Sequence, residues 1–326
     1  MRRWLGGVRR DWLRRFPRGH GSVLCLHRVV ELEQDLSGIA GLRDLEITLC
    51  QLEDLILTLE MEGWHWVPLG GMLGGATGRR RVSLTFDDGY LDNLELAAPL
   101  LESHGIPFTV FVTSGFIDRE VEPWWLVLGE MVARAVPAGV SADAAELGRW
   151  RDEAFRQVSR AVDPGRLYDQ AALAAVFEST LGLRVPDLAG HSEPSWFMNW
   201  RQVGELAKKP LCTIGCHTMT HRSLGALDAE VVEREIDDSK RRIEAATGAP
   251  VTLFAYPHGR PGDLPQGGGE ILRRLGIDAG FSTAPRNLTG EDLKAPWTLP
   301  RKSIGCNEME AEVWLDLVAG AYDVGN

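Results

Sequence analysis

The sequence predicts an α/β fold: a distorted TIM-like (β/α) barrel of about seven or eight strands with a mostly helical insertion. Three observations lead there. From Gly21 onward, short β-branched or aromatic runs alternate with longer stretches of helical period, the pattern of βα units around a parallel sheet. The number of short runs suits a closed or nearly closed barrel better than an open sheet. A length of 326 residues, 44% apolar and 25% charged, accommodates one such barrel and one insertion around a substantial core.

Residues 1–20 form a separate N-terminal segment, in which Trp4, Leu5, Val8, Trp12 and Phe16 recur at helical spacing among seven arginines. A basic amphipathic stretch of this kind can lie on an anionic membrane surface, giving peripheral contact through residues 1–19. The alternative is that the aromatics pack on the protein's own barrel, and Gly6 and Gly7 weaken the helix. The barrel spans residues 21–310. SVLCLHRVV reads as its first strand, and Ile47 to Gly63 as its first helix, with Leu49, Leu52, Leu55, Ile56 and Leu59 on one face and a glycine stop. Further strands are expected at WHWVPL, RVSLTF, PFTVFVT, CTIGCH, VTLFAY and AGFST, with helices at LDNLELAAPLLESHG and DAEVVEREIDDSKRRIEAATG. At about 116–198 the alternation gives way to Trp-, Ala- and Arg-rich helical patterning, which reads as a lid over the barrel mouth. GDLPQGGGE is a loop, and 311–326 a C-terminal tail.

The net charge of −11 argues against nucleic acid as a partner, since a polyanion is held by a basic surface. Five cysteines, Cys25, Cys50, Cys212, Cys216 and Cys306, lack CxxC spacing and read as buried reduced thiols. No apolar stretch reaches the roughly twenty residues of a membrane span, and no secretory h-region is visible, so a cytoplasmic location is expected.

Three strings carry chemistry. RVSLTFDDGY ends an apolar strand in Asp87 and Asp88, at the end where β/α barrels keep their active sites. Adjacent residues in extended backbone diverge, so one carboxylate can bind a metal while the other reaches a water; a solvated turn is the plain alternative. CTIGCHTMTHRSL spaces His217 and His221 four apart after another strand, and on a helical backbone both imidazoles would grip one cation. With one aspartate they leave coordination positions open for water, as a hydrolytic centre requires. VTLFAYPHGR runs into Tyr256-Pro257-His258-Gly259, either an ordinary turn or a loop whose N–H groups face an oxyanion.

Together these strings resemble the polysaccharide deacetylase family, also called the NodB-homology or carbohydrate esterase four family. TFDDGY is similar to its first motif, HTMTH to its H-[ST]-x-x-H motif, and FAYPHG to the third motif usually written FAYPYG; LCLHRVV and MNWRQVGELA add to the likeness. The resemblance implies hydrolytic N-deacetylation of an N-acetylated sugar, whether polysaccharide, oligosaccharide or lipid-linked glycan. It implies Asp87 as general base, Asp88, His217 and His221 as metal ligands, and an oxyanion resting near the His258 N–H. The mixed nitrogen and oxygen ligands make Zn2+ the first choice, with Co2+, Ni2+ or Mn2+ as alternatives.

The sequence departs from the family pattern twice. Ala255 stands where many members carry an arginine that orients the base, and no histidine follows His258 to serve as general acid. Barrel closure offers replacements: His27, near the end of the first strand, as acid, and Arg301 in TLPRKSI as the charge that holds Asp87 ionised. Trp124, Trp125, Trp196 and Trp200 either stack on sugar faces or form the core of the lid. A catalytically silent sugar-binding relative and a non-haem iron enzyme, which shares the two-histidine, one-carboxylate triad, are the competing readings.

Overall fold

The computed structural model describes residues 19–33, 37–74, 80–135, 143–185, 196–305 and Val318. The arginine-rich segment, apart from its last residues, Cys306 and nearly all of the tail lie outside the described residues. Strands β1 (Ser22–Leu26), β4 (His65–Trp66), β5 (Arg81–Phe86), β6 (Phe108–Val112), β7 (Cys212–Cys216), β8 (Leu253–Ala255), β9 (Ala279–Phe281) and β10 (Lys302–Ser303) form one curled sheet. The path runs β10-β1-β5-β6-β7-β8-β9, with β4 on the first residues of β5, and every pair is parallel. A parallel bridge from Phe281 to Leu299, just before β10, brings the curl round on itself. The barrel is therefore distorted, with its last strand shared between β9 and β1.

Side chains pointing inward make a small core of their own. Phe111 on β6 meets Phe281 on β9 at 5.8 Å between ring centroids, although two strands separate them in the sheet, so the contact crosses the barrel. Val23, Leu253, Ala255, Ala279 and Leu299 join the same cluster. The larger cluster lies between the outer face of the sheet and the helices. Strands covered on both faces read as continuous apolar runs, which is why RVSLTF and FTVFV carry so little alternation.

Two expected elements break where a side chain intervenes. SVLCLHRVV is not one strand: β1 stops at Leu26, and β2 (Arg28–Val30) pairs instead with β3 (Glu46–Thr48) in a separate parallel ribbon. The break leaves His27 at the barrel rim. The first helix begins at Leu49, not Ile47, because Thr48 is its N-cap; its hydroxyl accepts from Gln51 N at 3.2 Å while Gln51 Oε1 accepts from Thr48 N at 2.8 Å. The expected helix after Asp88 starts with a π turn, Asn93–Ala97, before regular Ala98–Ser103. Pro99 has no N–H to give four residues back, and the turn widens there.

The insertion holds helices Trp124–Arg134, Ala144–Ala161 and Gln170–Leu181, which pack on one another. Asp143 caps the second through Ala145 N at 3.1 Å and Glu146 N at 3.0 Å, and Asp169 caps the third through Ala172 N at 2.7 Å. No helix among the described residues is long and apolar enough to cross a membrane.

Candidate metal centre

The barrel ladders deliver the site residues to one rim. Asp87 N extends the β5–β1 ladder onto Leu26 O at 2.9 Å, and His217 N extends β7 onto Val112 O at 2.9 Å. Beyond those bonds the chain turns sharply. Asp88, Thr218, His221 and His258 all take positive φ, at 75°, 67°, 57° and 60°, leaving Arg119 as the other such non-glycine residue described. The two aspartates diverge because Asp88 is left-handed, not because the strand continues. The two histidines likewise meet across a kinked loop rather than along a helix face. Left-handed backbone is costly for residues other than glycine, and for a β-branched threonine above all. The surroundings impose it: Ser114 N and Gly115 N hold Thr218 O and Met219 O, while Glu235 takes both Thr220 N at 2.9 Å and its hydroxyl at 2.6 Å.

Asp88, His217 and His221 then converge, each offering one ligand atom within 4.8 Å of the others. Asp88 Oδ1 lies 3.2 Å from His221 Nε2 and 3.6 Å from His217 Nε2, yet it is buried without a hydrogen-bond partner. His217 Nδ1 is 2.8 Å from Ala255 O, so that nitrogen carries the proton and Nε2 keeps its lone pair. Burial pushes the His217 pKa down to about 4, keeping the ring neutral. Burial raises the Asp88 carboxyl, but His221, His27 and His217 together outweigh it and the net shift is downward. The neutral His217 imidazole, the His221 ring beside it and an ionised, unsatisfied carboxylate suit a divalent cation.

Asp87 is fixed by a partner from the far end of the barrel. Arg301, 0% exposed, makes a fork onto it: Nη1 to Oδ1 at 2.7 Å and Nη2 to Oδ2 at 2.7 Å. Its Nε donates to Ser282 O at 3.2 Å, and the guanidinium lies 5.3 Å above the Phe111 ring. Burial would raise the Asp87 carboxyl, yet Arg301, joined by His217 and His27, overrides it and holds the group well below the ordinary range. Asp87 Oδ2 is also 3.8 Å from His217 Nε2.

His27 stands half-buried on the same rim, with a ring nitrogen within 4.8 Å of an Asp87 oxygen. The third-motif loop divides. His258 faces the site, its ring centroid 5.0 Å from that of His221, and burial followed by the His221 charge depresses its pKa strongly. Tyr256 does not face it: its ring packs on Phe254 and its hydroxyl lies against Gly268 on the outer helix. Pro257 and Gly259 shape the loop, and a Cβ on Gly259 would meet Thr283 N at 2.7 Å. Tyr256 N and Gly259 N already donate to Phe281 O and Pro257 O. The His258 N–H is thus the uncommitted donor of this loop among the described residues.

The family model described as Polysaccharide deacetylase matches residues 74–145 and 186–279, just over half of the chain. The chain belongs to the polysaccharide deacetylase family. It is accordingly a hydrolase of carbon–nitrogen amide bonds. Deacetylase family members also share its fold. The Streptococcus pyogenes deacetylase PplD, solved with acetate, is 16% identical with a TM-score of 0.58, over 93% of this chain and 99% of that one. The polysaccharide deacetylase BC0361 from Bacillus cereus is 15% identical with a TM-score of 0.56, over 91% and 68%. IcaB from Ammonifex degensii is 19% identical with a TM-score of 0.53, over 93% and 97%. No curated protein matches the sequence.

In this deacetylase the four tryptophans take different places. Trp125, buried, sets its ring 4.8 Å from His221 and donates from Nε1 to Tyr90 Oη at 3.3 Å, so the insertion does reach the site. Trp196 carries Arg28 on its face at 4.4 Å. Trp200 Nε1 donates to Asp118 at 2.6 Å, and Trp124 packs edge-on against Trp125. Sequence reasoning overlooked Cys25, whose Sγ is 3.4 Å from Asp87 Oδ2. Its spacing of two from His27 on one strand was the available signal. The cysteines are not uniformly buried either; Cys50 is exposed and Cys212 half-exposed, and all four described are free.

Proposed function

We propose that this chain is a divalent-metal-dependent deacetylase that hydrolyses the acetamide of an N-acetylated sugar, in a polysaccharide, an oligosaccharide or a lipid-linked glycan. The observation that carries the reading is the buried Asp88–His217–His221 cluster beside an aspartate gripped by arginine. Asp88, His217 and His221 would hold the cation, with Zn2+ favoured by the ligand set. When bound, the cation supplies Lewis acidity to the acetamide carbonyl and lowers the pKa of a water beside it.

The chain's own residues supply the rest. Asp87 takes the proton of the attacking water at its carboxylate. Arg301 keeps that carboxylate ionised and fixes its plane, so Asp87 is a weak but always available base. The His258 N–H donates to the developing oxyanion. His27 gives a proton to the departing amine, which otherwise leaves as a poor anion. Trp125 covers His221 and excludes water from that side.

The test is acetate release from a panel of N-acetylated oligosaccharides and lipid- or nucleotide-linked sugars. Release from at least one, abolished by chelator and restored by zinc, is the expected result. Undiminished release from fully metal-stripped protein would overturn the metal dependence, and none from any substrate with metal would overturn the activity.

A further inference from the structure

We infer that Cys25, His27 and Asp87 form a second cation site, selective for thiophilic metals, whose occupation switches the enzyme off. The site itself stands apart from the function proposed above; its inhibitory effect rests on the roles given there to Asp87 and His27.

The geometry is that of a three-donor site. The Cys25 thiol, a ring nitrogen of His27 and a carboxylate oxygen of Asp87 all lie within 4.8 Å of one another. Cys25 Sγ is 3.4 Å from Asp87 Oδ2. Cys25, on β1, and His27, just past its end, bring their side chains to the same Asp87 carboxylate, and the half-exposed His27 gives a route in from solvent. Three protein donors with a fourth position left for water match the open tetrahedral sites of zinc.

Arg301 prepares this site as well as the first. Its fork takes one lone pair from each oxygen of Asp87 at 2.7 Å, and a carboxylate has about four to offer. The Oδ2 lone pair that accepts the Cys25 thiol is released when the thiol proton leaves. Binding is then a balanced exchange in which a sulfur–metal bond forms, the sulfur–hydrogen bond breaks, and the proton passes to solvent. With the thiol intact, Asp87 and Arg301 cancel and nothing attracts a cation. With a thiolate the three groups sum to one negative charge. Only metals that bond strongly to thiolate gain from the exchange, so Cd2+ should enter, Zn2+ only in excess over the first site, and Mn2+ not at all.

The two sites share a wall. Asp87 Oδ2 lies 3.8 Å from His217 Nε2, so a donor of the second site adjoins a residue of the first. Here the second ion opposes catalysis. It draws electron density from the Asp87 carboxylate through Oδ2 and takes the lone pair of His27, weakening the groups that accept and return the proton.

The experiment uses the full chain, stripped with chelator and titrated with Cd2+ or Mn2+, with bound metal read by elemental analysis and the cadmium–thiolate absorption recorded. Two Cd2+ and one Mn2+ per chain are expected. Cys25→Ser, which keeps a hydroxyl donor beside Asp87, should bind one Cd2+ and lose the absorption. His27→Gln, at a half-exposed position, should also bind one. The His217→Ala, His221→Ala double variant should keep the absorption. With protein loaded with one zinc per chain, excess Cd2+ should suppress wild-type acetate release by about tenfold or more while changing Cys25→Ser little. One Cd2+ per wild-type chain, or absorption that persists in Cys25→Ser and so arises from another cysteine, would overturn the site. Two Cd2+ with undiminished acetate release would overturn the switch alone.

Discussion

Replacing Arg301 by methionine removes the fork from Asp87 while roughly keeping the buried volume. The carboxylate loses two charge-assisted hydrogen bonds of 2.7 Å and stays fully buried. Breaking one side of a buried pair costs about 3–5 kcal/mol, because the remaining charge has neither water nor partner. The deficit should depend on pH with a definite sign. In the wild type the Asp87 pKa is depressed, so its contribution is complete above the unfolded value of about 3.9 and is lost only as pH falls through the much lower folded value. Between pH 7 and pH 5 that contribution is constant. In the variant, with the Arg301 contribution gone, burial is the leading influence and raises the Asp87 pKa relative to the wild type, so acidification neutralises the orphan charge. Urea unfolding should therefore show the full deficit at pH 7 and a smaller one at pH 5, approaching the roughly 1–3 kcal/mol of an unsatisfied buried polar group. Arg301→Lys, which keeps the charge but not the fork, should fall between. A deficit below about 1 kcal/mol at pH 7, or one that widens on acidification, would refute the reasoning.

Asp87→Asn should retain bound metal by elemental analysis and lose on the order of a hundredfold or more in acetate release; near-normal turnover removes Asp87 from the mechanism. His27→Ala should slow an amide substrate far more than an ester with a good leaving group, because only the amine needs a proton to depart; equal losses on the two substrates count against the acid role. On the reading that residues 1–19 lie on an anionic inner membrane face, full-length protein should sediment with anionic vesicles and a truncated form should not. Equally poor sedimentation of both ends that idea.

How much was legible varies residue by residue. The strands were readable because both faces are buried, and the order of RVSLTF, FTVFV and CTIGC along the chain is their order across the sheet. Arg301 could be reached from topology alone, since closing a barrel sets its last strand beside its first. The turns were not readable. Nothing in DDG or HTMTH announces left-handed backbone at Asp88, Thr218 and His221, because those angles are imposed by tertiary bonds from Thr113 to Gly115 and from Glu235. Tyr256 was misjudged for a related reason: the strand's alternation runs on to that residue and turns its ring outward. The sequence places His27 near the end of the first strand, but the break at Leu26 that leaves it on the rim was not readable, because it goes with the pairing of Arg28–Val30 to Glu46–Thr48.

The position of Arg301 also has a temporal meaning. Asp87, Asp88, His217 and His221 all precede residue 301 by about eighty positions or more, so an emerging chain can gather the proposed metal ligands while the proposed base still lacks a counter-ion. Until the final strand inserts beside β1, Asp87 has no guanidinium to oppose the burial that favours its protonated form. On the proposed roles, competence thus arrives with the last piece of the barrel, and a chain cut just short of it is expected to gather the Asp88, His217 and His221 cluster and still be inert.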